Sequence, residues 1–204
     1  MKRLQVAAIL VLLGLASVSA ATPVTLDIDK VHSQVGFSIR HFFSKVPGKF
    51  KDFSGTIVMD PDDPPVSSVE VSIQTASIST DNDRRDAHLR SNDFFAADSF
   101  PTLTFKSTKV APVGKDKYQV TGDLTMRGIT KSVVLDVDFL GMGPIAIGGQ
   151  PQGTKAGFDA STTVDRHDFR INWNKTLDQG GVMLGADVAI SLHVEATMRA
   201  PAQP

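Results

Sequence analysis

The histidines and the segment Asp165-Arg166-His167-Asp168 are the residues of this 204-residue chain that could do chemistry. The five histidines, at 32, 41, 88, 167 and 193, lack the paired spacing of a helical zinc site. The segment offers a base and two carboxylates, which suits general acid–base catalysis. Neighbouring side chains on a strand face opposite ways, so only Asp165 with His167, or Arg166 with Asp168, could meet. We therefore favour an ion pair that fixes the loop, and we predict no catalytic residue, metal or cofactor.

The composition excludes several other kinds of chemistry. The chain contains no cysteine, so disulfides, thiolate zinc sites, iron–sulfur clusters, cysteine nucleophiles and lipid attachment through cysteine are impossible. The sequence contains no nucleophile elbow, phosphate-binding glycine loop or dinucleotide fingerprint. Its 21 basic and 22 acidic residues nearly balance, so we expect no nucleic-acid partner.

The first twenty residues predict an export signal. Lys2 and Arg3 precede an apolar run at 6–15, which is shorter than the roughly 20 residues needed to span a bilayer. Small residues at 18–20 suit cleavage before Ala21, although a buried core helix is the alternative interpretation. We expect residues 21–204 to form one domain that is periplasmic or secreted and has no stable membrane anchor.

We expect strands to position most of the functional residues, because apolar and polar residues alternate with a period of two beyond Val24. The stretch 35–41 puts Val35, Phe37, Ile39 and His41 on one face. Seven more strands are predicted at 53–59, 69–75, 103–106, 118–126, 133–139, 156–160 and 188–195. One polar face on each strand favours an antiparallel sandwich or closed barrel. A barrel of eight strands has an interior that side chains fill or that holds one small ligand.

One short helix and two irregular segments interrupt the predicted strands. Residues 81–90 predict one or two helical turns, with Ser79, Thr80 and Asp81 as acceptable N-caps. Asp83 in the first turn and Arg90 near the end suit the helix dipole. Residues 127–130 predict a turn, and residues 141–153 predict a Gly/Pro-rich loop.

Phenylalanine is distributed unevenly along the chain. Nine of the twelve lie in two segments, at 37, 42, 43, 50 and 53 and at 94, 95, 100 and 105. A hydrophobic core accounts for most of them, since each ring can bury roughly 150–250 Å². Some could instead line a cavity in which small residues leave room for a long, thin ligand: Gly36, Gly55, Gly122, Ala156 and Ala160.

Four ordered blocks of the sequence resemble the YceI-like lipid- and polyisoprenoid-binding family. They comprise residues 32–41 with 48–55, 85–95 with 100–107, 122–131, and 163–169. The resemblance extends over the mature chain to about residue 195. It implies an all-β protein, an eight-stranded antiparallel lipocalin-like barrel with one short α-helix, enclosing a tunnel for a long-chain isoprenoid or acyl lipid.

The resemblance also implies a ligand-binding wall. We predict that the ligand contacts Phe37, Ile39, His41, Phe50, Phe53, His88, Leu89, Arg90, Phe94, Phe95, Phe105, Leu124 and Met126. Its tail would bind through the hydrophobic effect, at about 0.8 kcal/mol per buried methylene. Arginines suit a phosphate or carboxylate head, and histidines suit a quinone or amide oxygen. The candidates are Arg40, His41, Arg84, Arg85, His88 and Arg90, each of which could instead be a solvated surface charge.

Three functions stay open at this point. The favoured one is a periplasmic or secreted binding protein that sequesters or transports a polyisoprenoid, an isoprenoid quinone precursor or a fatty amide. The second is an enzyme that acts on such a lipid with the loop at 165–168. The third is a stress or interaction protein whose barrel holds no ligand. The sequence also leaves a homodimer open.

Overall fold

The computed structural model describes residues 23–199, most of which lie in strands. The eleven strands are β1 (Val24–Ile28), β2 (Gln34–His41), β3 (Ser44–Phe50), β4 (Phe53–Met59), β5 (Ser68–Gln74), β6 (Ile78–Ser79), β7 (Thr102–Gly114), β8 (Lys117–Met126), β9 (Ile129–Ile147), β10 (Gln150–Asp165) and β11 (Leu184–Met198). The one α-helix within residues 23–199 is α1 (Asp83–Arg90), and short 3-10 turns cover Pro64–Val66, Thr75–Ser77 and Arg166–Phe169. The predicted export leader, residues 1–20, lies outside the described residues.

The strands form one antiparallel sheet that closes on itself. Its order is β1-β4-β5-β7-β8-β9-β10-β11, and β11 returns to β1 through pairs such as Ile28 with Ala196. This ring of eight strands confirms the predicted barrel with one short helix. β1 and β2 share one edge of β11, where β2 pairs with residues 184–193. β3 then pairs with β2, and β6 pairs with β3.

Three of these strands were absent from the sequence prediction, namely β1, β3 and β6. β6 has only two residues, which is too short for a period-two pattern, whereas the five residues of β1 do alternate and the prediction missed them. β3 contains Pro47 and Gly48, which interrupt strand propensity. Pairing with neighbouring strands supplies what the local sequence lacks, since Phe37 lies opposite Gly48 and Ser38 opposite Pro47.

Two glycine-containing turns set the lengths of the longest strands. The predicted turn at 127–130 is confirmed, because Arg127 and Gly128 have φ of 51° and 70° and Met126 pairs with Ile129. The predicted loop at 141–153 is wrong, because β9 and β10 pair through most of it and turn at Gly148 and Gly149. Both glycines have positive φ, which allows the two-residue hairpin turn that favours strand continuation.

The helix begins at Asp83, two residues later than predicted, because Asn82 caps it. The Asn82 side chain accepts a hydrogen bond from the Arg85 amide at 3.0 Å. Thr80 has a different role, since its amide donates to the buried Asp86 carboxylate at 2.8 Å. Arg85 Nε in turn donates to the Thr80 hydroxyl at 2.7 Å. These contacts hold α1 against the barrel.

The two ends of the barrel are named by what lies there. The helix end contains α1 with residues 41–44 and 166–173, and the far end contains residues 60–68, 114–117 and 139–151. A large core cluster around Phe50, Phe105 and Phe169 packs toward the helix end. A smaller cluster around Leu26 joins β1, β10 and β11. None of the helices in residues 23–199 has the length and hydropathy needed to cross a membrane.

Candidate ligand cavity

The barrel encloses a cavity of about 1190 Å³. This volume exceeds the range of about 300–1,000 Å³ that is usual for sites of drug-sized molecules. The wall includes Met59 and Phe139 from the far end, and His88 and Trp173 from the helix end. The cavity therefore extends along the barrel and has room for an elongated ligand.

Period-two alternation makes the wall of this cavity apolar. On β9, the lining residues are Val133, Leu135, Val137 and Phe139. The residues between them include Asp136 and Asp138, which bond on the outside to Gln119 and Lys117 of β8. The same alternation on the other strands turns one apolar side chain in every two residues toward the cavity.

The structure brings together every residue that the sequence predicted as a ligand contact except Arg90. The residues that line the cavity are Phe37, Ile39, His41, Phe50, Phe53, His88, Leu89, Phe94, Phe95, Phe105, Leu124 and Met126. Arg90 is not in the wall, and its backbone carbonyl accepts from the Ala97 amide at 2.9 Å. Residues two apart on a helix point in nearly opposite directions, so His88 and Arg90 cannot share a face. Ligand contact by the lining residues stays a prediction.

The two phenylalanine-rich segments contribute unequally to the wall. Six of their nine rings line the cavity, and three further rings come from outside these segments, at 139, 158 and 169. Phe37 and Phe95 both pack against Phe50, with ring centroids 5.8 and 5.7 Å away. Phe42 and Phe43 are exposed instead, and Phe100 is not among the lining residues.

The small residues also divide into two groups. Gly36 and Ala160 line the cavity, whereas Gly55, Gly122 and Ala156 do not. A Cβ on Gly122 would lie 2.4 Å from Cζ of Phe105. Gly122 therefore leaves room for a ring of the wall, and its predicted role of leaving room for the ligand is wrong.

The acid–base segment at 165–168 lies outside the cavity wall apart from Arg166. Arg166–Phe169 is a 3-10 turn, so strand alternation does not govern the side chains that follow Arg166. The predicted pairing of Asp165 with His167 is present, with 2.8 Å between the carboxylate and Nδ1. Asp168 lies 3.9 Å from Lys131 Nζ and does not pair with Arg166. Both His167 and its partner are well exposed to solvent.

Arg166 is the functional candidate that the sequence prediction missed. It is 3% exposed and lines the cavity, with Nε donating to the Gly185 carbonyl at 2.9 Å. Nη1 donates to the carbonyls of Ile171 and Trp173 at 2.5 and 2.9 Å. Nη2 has no hydrogen-bond partner in the described part of the chain. Burial lowers the pKa of Arg166, and the nearby Asp165 charge opposes that shift.

A strand-parity signal could have identified Arg166. The inward positions of β10 include Phe158, Ala160, Thr162 and Val164, and the next position in this series is Arg166. A charge that follows an apolar series in phase indicates a polar group at the end of a cavity. The sequence prediction instead gave Arg166 only in a pairing with Asp168, one of the two pairings that strand geometry would allow.

The polar lining residues give the two ends of the cavity opposite charge. The helix end has Arg84, Arg85 and Arg166, whereas Asp60 and Asp116 line the far end. The Asp60 carboxylate accepts from the amides of Asp62 and Asp63, each at 3.0 Å. An anionic or hydrogen-bond-accepting group is therefore favoured at the helix end.

His88 contributes to the helix end of the cavity through aromatic packing. The His88 ring lies edge-on to Phe94 and Trp173, with centroids 5.0 and 4.9 Å away. Its Nε2 is 2.8 Å from an Asp93 carboxylate oxygen. Since Trp173 also presents its carbonyl to Arg166, these contacts connect α1 to the buried guanidinium.

The side chains of Asp29, His32 and Glu195 could together hold a cation, because their ligand atoms lie within 4.8 Å of one another. Lys155 competes for this position, with Nζ 2.5 Å from Glu195 and 3.4 Å from Asp29. The hydrogen bond from His32 lowers the pKa of Asp29 from 3.8 to about 2. The Lys155 ammonium group therefore already occupies the position between the two carboxylates of this surface cluster.

Comparison with known proteins agrees with this architecture. The YceI-like domain matches residues 26–196. A UPF0312 protein of Photorhabdus laumondii is 39% identical over 178 residues, covering 87% of this chain and 88% of the relative. BcnA of Burkholderia cenocepacia has the same fold, with a TM-score of 0.72 and 26% identity over 83% of this chain and 99% of its own.

A more distant solved structure shares the fold alone. It is a polyisoprenoid-binding domain from Saccharophagus degradans implicated in plant cell wall breakdown, with a TM-score of 0.60 and 14% identity. The alignment covers 87% of this chain and all of that domain. With the family match spanning nearly the whole described barrel, the chain belongs to the YceI-like family.

Proposed function

We propose that this protein binds and carries a long-chain amphiphile, a polyisoprenoid or acyl lipid, with its tail inside the barrel. The observation that carries the proposal is a cavity of about 1190 Å³ whose wall is apolar along its length. Apolar surface transferred from water into such a space gains roughly 25 cal/mol per Å². The polyisoprenoid-binding domain from S. degradans, which shares the fold, supports the same ligand class.

The head of this amphiphile belongs at the helix end. Arg166 carries a buried charge, and no described carboxylate lies within salt-bridge distance of it. A buried donor without a partner is costly, on the order of 1–3 kcal/mol. A phosphate, carboxylate or carbonyl oxygen at this end would supply an acceptor, and Arg84 and Arg85, which line the same end, would add attraction for an anion.

Export is part of the proposal. The predicted leader at residues 1–20 supports a periplasmic or secreted carrier. In such an aqueous compartment an apolar ligand needs a protein that shields it from water. An enzyme is a weaker candidate, because His167 lies outside the cavity wall and pairs with an exposed carboxylate.

The proposal is tested by measuring affinity against chain length. Fatty acids of increasing length would displace a fluorescent probe, and each added methylene should tighten binding about fourfold until the chain fills the cavity. A flat series, with no gain over several methylenes, would overturn the proposal. Native mass spectrometry of protein purified from its own host would then identify the lipid that it carries.

Two variants on the same strand make the test specific. Ala160 lines the cavity, whereas the next residue, Ser161, is exposed on the outside of β10. Ala160→Phe should weaken binding of the longest chains, by about 15-fold if the ring excludes two methylenes. Ser161→Phe should leave affinity unchanged. Equal effects of the two variants would contradict binding inside the barrel.

A further inference from the structure

The hairpin between β2 and β3 ends in two phenylalanines that the cavity wall does not use. Phe42 and Phe43 form a two-residue turn, since His41 pairs with Ser44. Phe43 is fully exposed and Phe42 is 37% exposed. Turns of this length usually carry Asn-Gly or another pair of small residues. Two large apolar rings at such a tip need a reason other than core packing.

The backbone of this turn is also unusual. Phe42 has a φ of 51°, in the left-handed region that bulky residues rarely adopt. Its amide donates to the Met183 carbonyl at 3.0 Å, and its ring packs edge-on against His41 with centroids 4.3 Å away. These contacts hold a strained, partly exposed aromatic residue in place, a pattern that is typical of functional sites.

The hairpin that carries these rings is positively charged. Residues 34–50 contain Arg40, Lys45 and Lys49 and no acidic residue. None of these three cations forms a salt bridge with another residue of 23–199. The whole chain has a formal net charge of −1, so the hairpin differs in sign from the rest of the molecule.

The tip lies beside the helix end of the cavity. His41 and Val46 of the hairpin line that end, as does Met183, which bonds to the Phe42 amide. The exposed Arg84 of α1 lines it as well. A surface that contacts the tip would therefore face the end of the cavity with the cationic lining.

We propose that the Phe42–Phe43 tip docks reversibly on an anionic lipid bilayer, with its rings among the headgroups and the cross-strand pair Arg40 and Lys45, next to the turn, near lipid phosphates. Phenylalanine side chains bury at the boundary between headgroups and acyl chains when a protein binds a membrane surface. Each cation near an anionic surface strengthens binding about fivefold. Docking in this orientation presents the helix end of the cavity to the bilayer, and it is measurable whether or not the cavity binds a lipid.

Vesicle co-sedimentation with the mature chain tests the proposal. The wild type should bind vesicles of phosphatidylcholine with 30% phosphatidylglycerol, and bind phosphatidylcholine alone much less. Phe43→Ser should weaken binding on the order of tenfold, because one interfacial ring is lost. Half-molar salt should weaken it as well, since it screens Arg40 and Lys45. If the wild-type protein does not sediment with the anionic vesicles, the proposal is overturned.

Matched controls come from exposed apolar residues at the far end. Val113 is 58% exposed on β7, and Ile147 is 68% exposed on the β9–β10 hairpin, where residues 140–154 carry no charge. Val113→Ser and Ile147→Ser should bind vesicles as the wild type does. Loss of binding in Ile147→Ser but not in Phe43→Ser would show that the far end docks instead.

The remaining rival is a second copy of this chain on the aromatic tip. Analytical ultracentrifugation of wild type and Phe43→Ser separates the two cases, because membrane docking predicts no change in oligomeric state. A dimer that dissociates on Phe43→Ser, with vesicle binding unaffected, would make the tip a protein interface and refute the proposal. Because Phe43 is fully exposed, thermal melting should show that the variant stays folded.

Discussion

Replacing Gly48 with alanine should force the Phe37 ring out of its position in the cavity wall. Gly48 lies directly opposite Phe37 in the β2–β3 pair. A Cβ on Gly48 would lie 2.3 Å from Phe37 Cζ and 2.8 Å from each Cε. Carbon atoms in ordinary contact are about 3.5–4.0 Å apart, so the ring must retreat by about 1 Å or more.

The expected cost follows from how tightly this ring is packed. Overpacking of a well-packed site typically costs about 1–3 kcal/mol. In a domain of this size each kcal/mol lowers the Tm by about 2–4 °C, so Gly48→Ala should melt roughly 2–12 °C lower. Because Phe37 lines the cavity, the displaced ring should also narrow it and weaken binding of the longest chains.

The assay is urea and thermal unfolding followed by circular dichroism on Gly48→Ala, Phe37→Leu and the double variant. The smaller leucine should relieve the clash, giving a coupling energy of about 0.5–3 kcal/mol between the two positions. Gly143→Ala is the matched control, because a Cβ there meets nothing within 4 Å. Wild-type stability in Gly48→Ala, or strictly additive costs in the double variant, would refute this account of the wall.

Three other predictions concern groups around the barrel. Arg166→Met should destabilise the fold by roughly 4 kcal/mol, because three carbonyls lose their donors at about 1–3 kcal/mol each, whereas removal of the unpartnered Nη2 recovers only about 1–3 kcal/mol. Urea unfolding tests this, and unchanged stability would contradict the bonding. His167→Ala should leave lipid affinity unchanged in the displacement assay, and lipid turnover by wild type that the variant lacks would restore the enzyme hypothesis. Asp29→Asn should reduce the amount of stability that the protein loses as the pH falls. Since the folded pKa of Asp29 lies at about 2, below its ordinary 3.8, this contribution is present above pH 4 and is lost as the pH falls toward 2. The partner His32 is largely exposed, so Asp29 should contribute about 1 kcal/mol or less to the free energy of unfolding at neutral pH. If the urea midpoints of wild type and Asp29→Asn depend on pH in the same way, this contribution is absent.

The inward face of each regular strand could be predicted because alternation is a local property. Val35, Phe37, Ile39 and His41 were assigned to one face from their spacing, and all four line the cavity. The helix was predicted near its observed position for the same local reason, although the capping residue was Asn82. The resemblance to the family added closure of the barrel, which a strand pattern alone does not distinguish from a sandwich.

Some features depend on which strands become neighbours, and local patterns do not contain that information. The exposure of Phe42 and Phe43 was not foreseen, because clustering of rings in the sequence suggested a shared environment. The environment of Arg166 also depends on distant segments, since its donors reach carbonyls at 171, 173 and 185.

The sequence by itself determined that this chain forms alternating strands with one apolar face each, because that pattern is set by residues two apart. Only the tertiary structure decided that these faces leave a cavity of about 1190 Å³ unfilled. It also decided that Phe37 lies over Gly48, since the two meet only when β2 and β3 pair in one register. The volume of a closed space depends on strand number, register and ring positions together, and none of these is a local property.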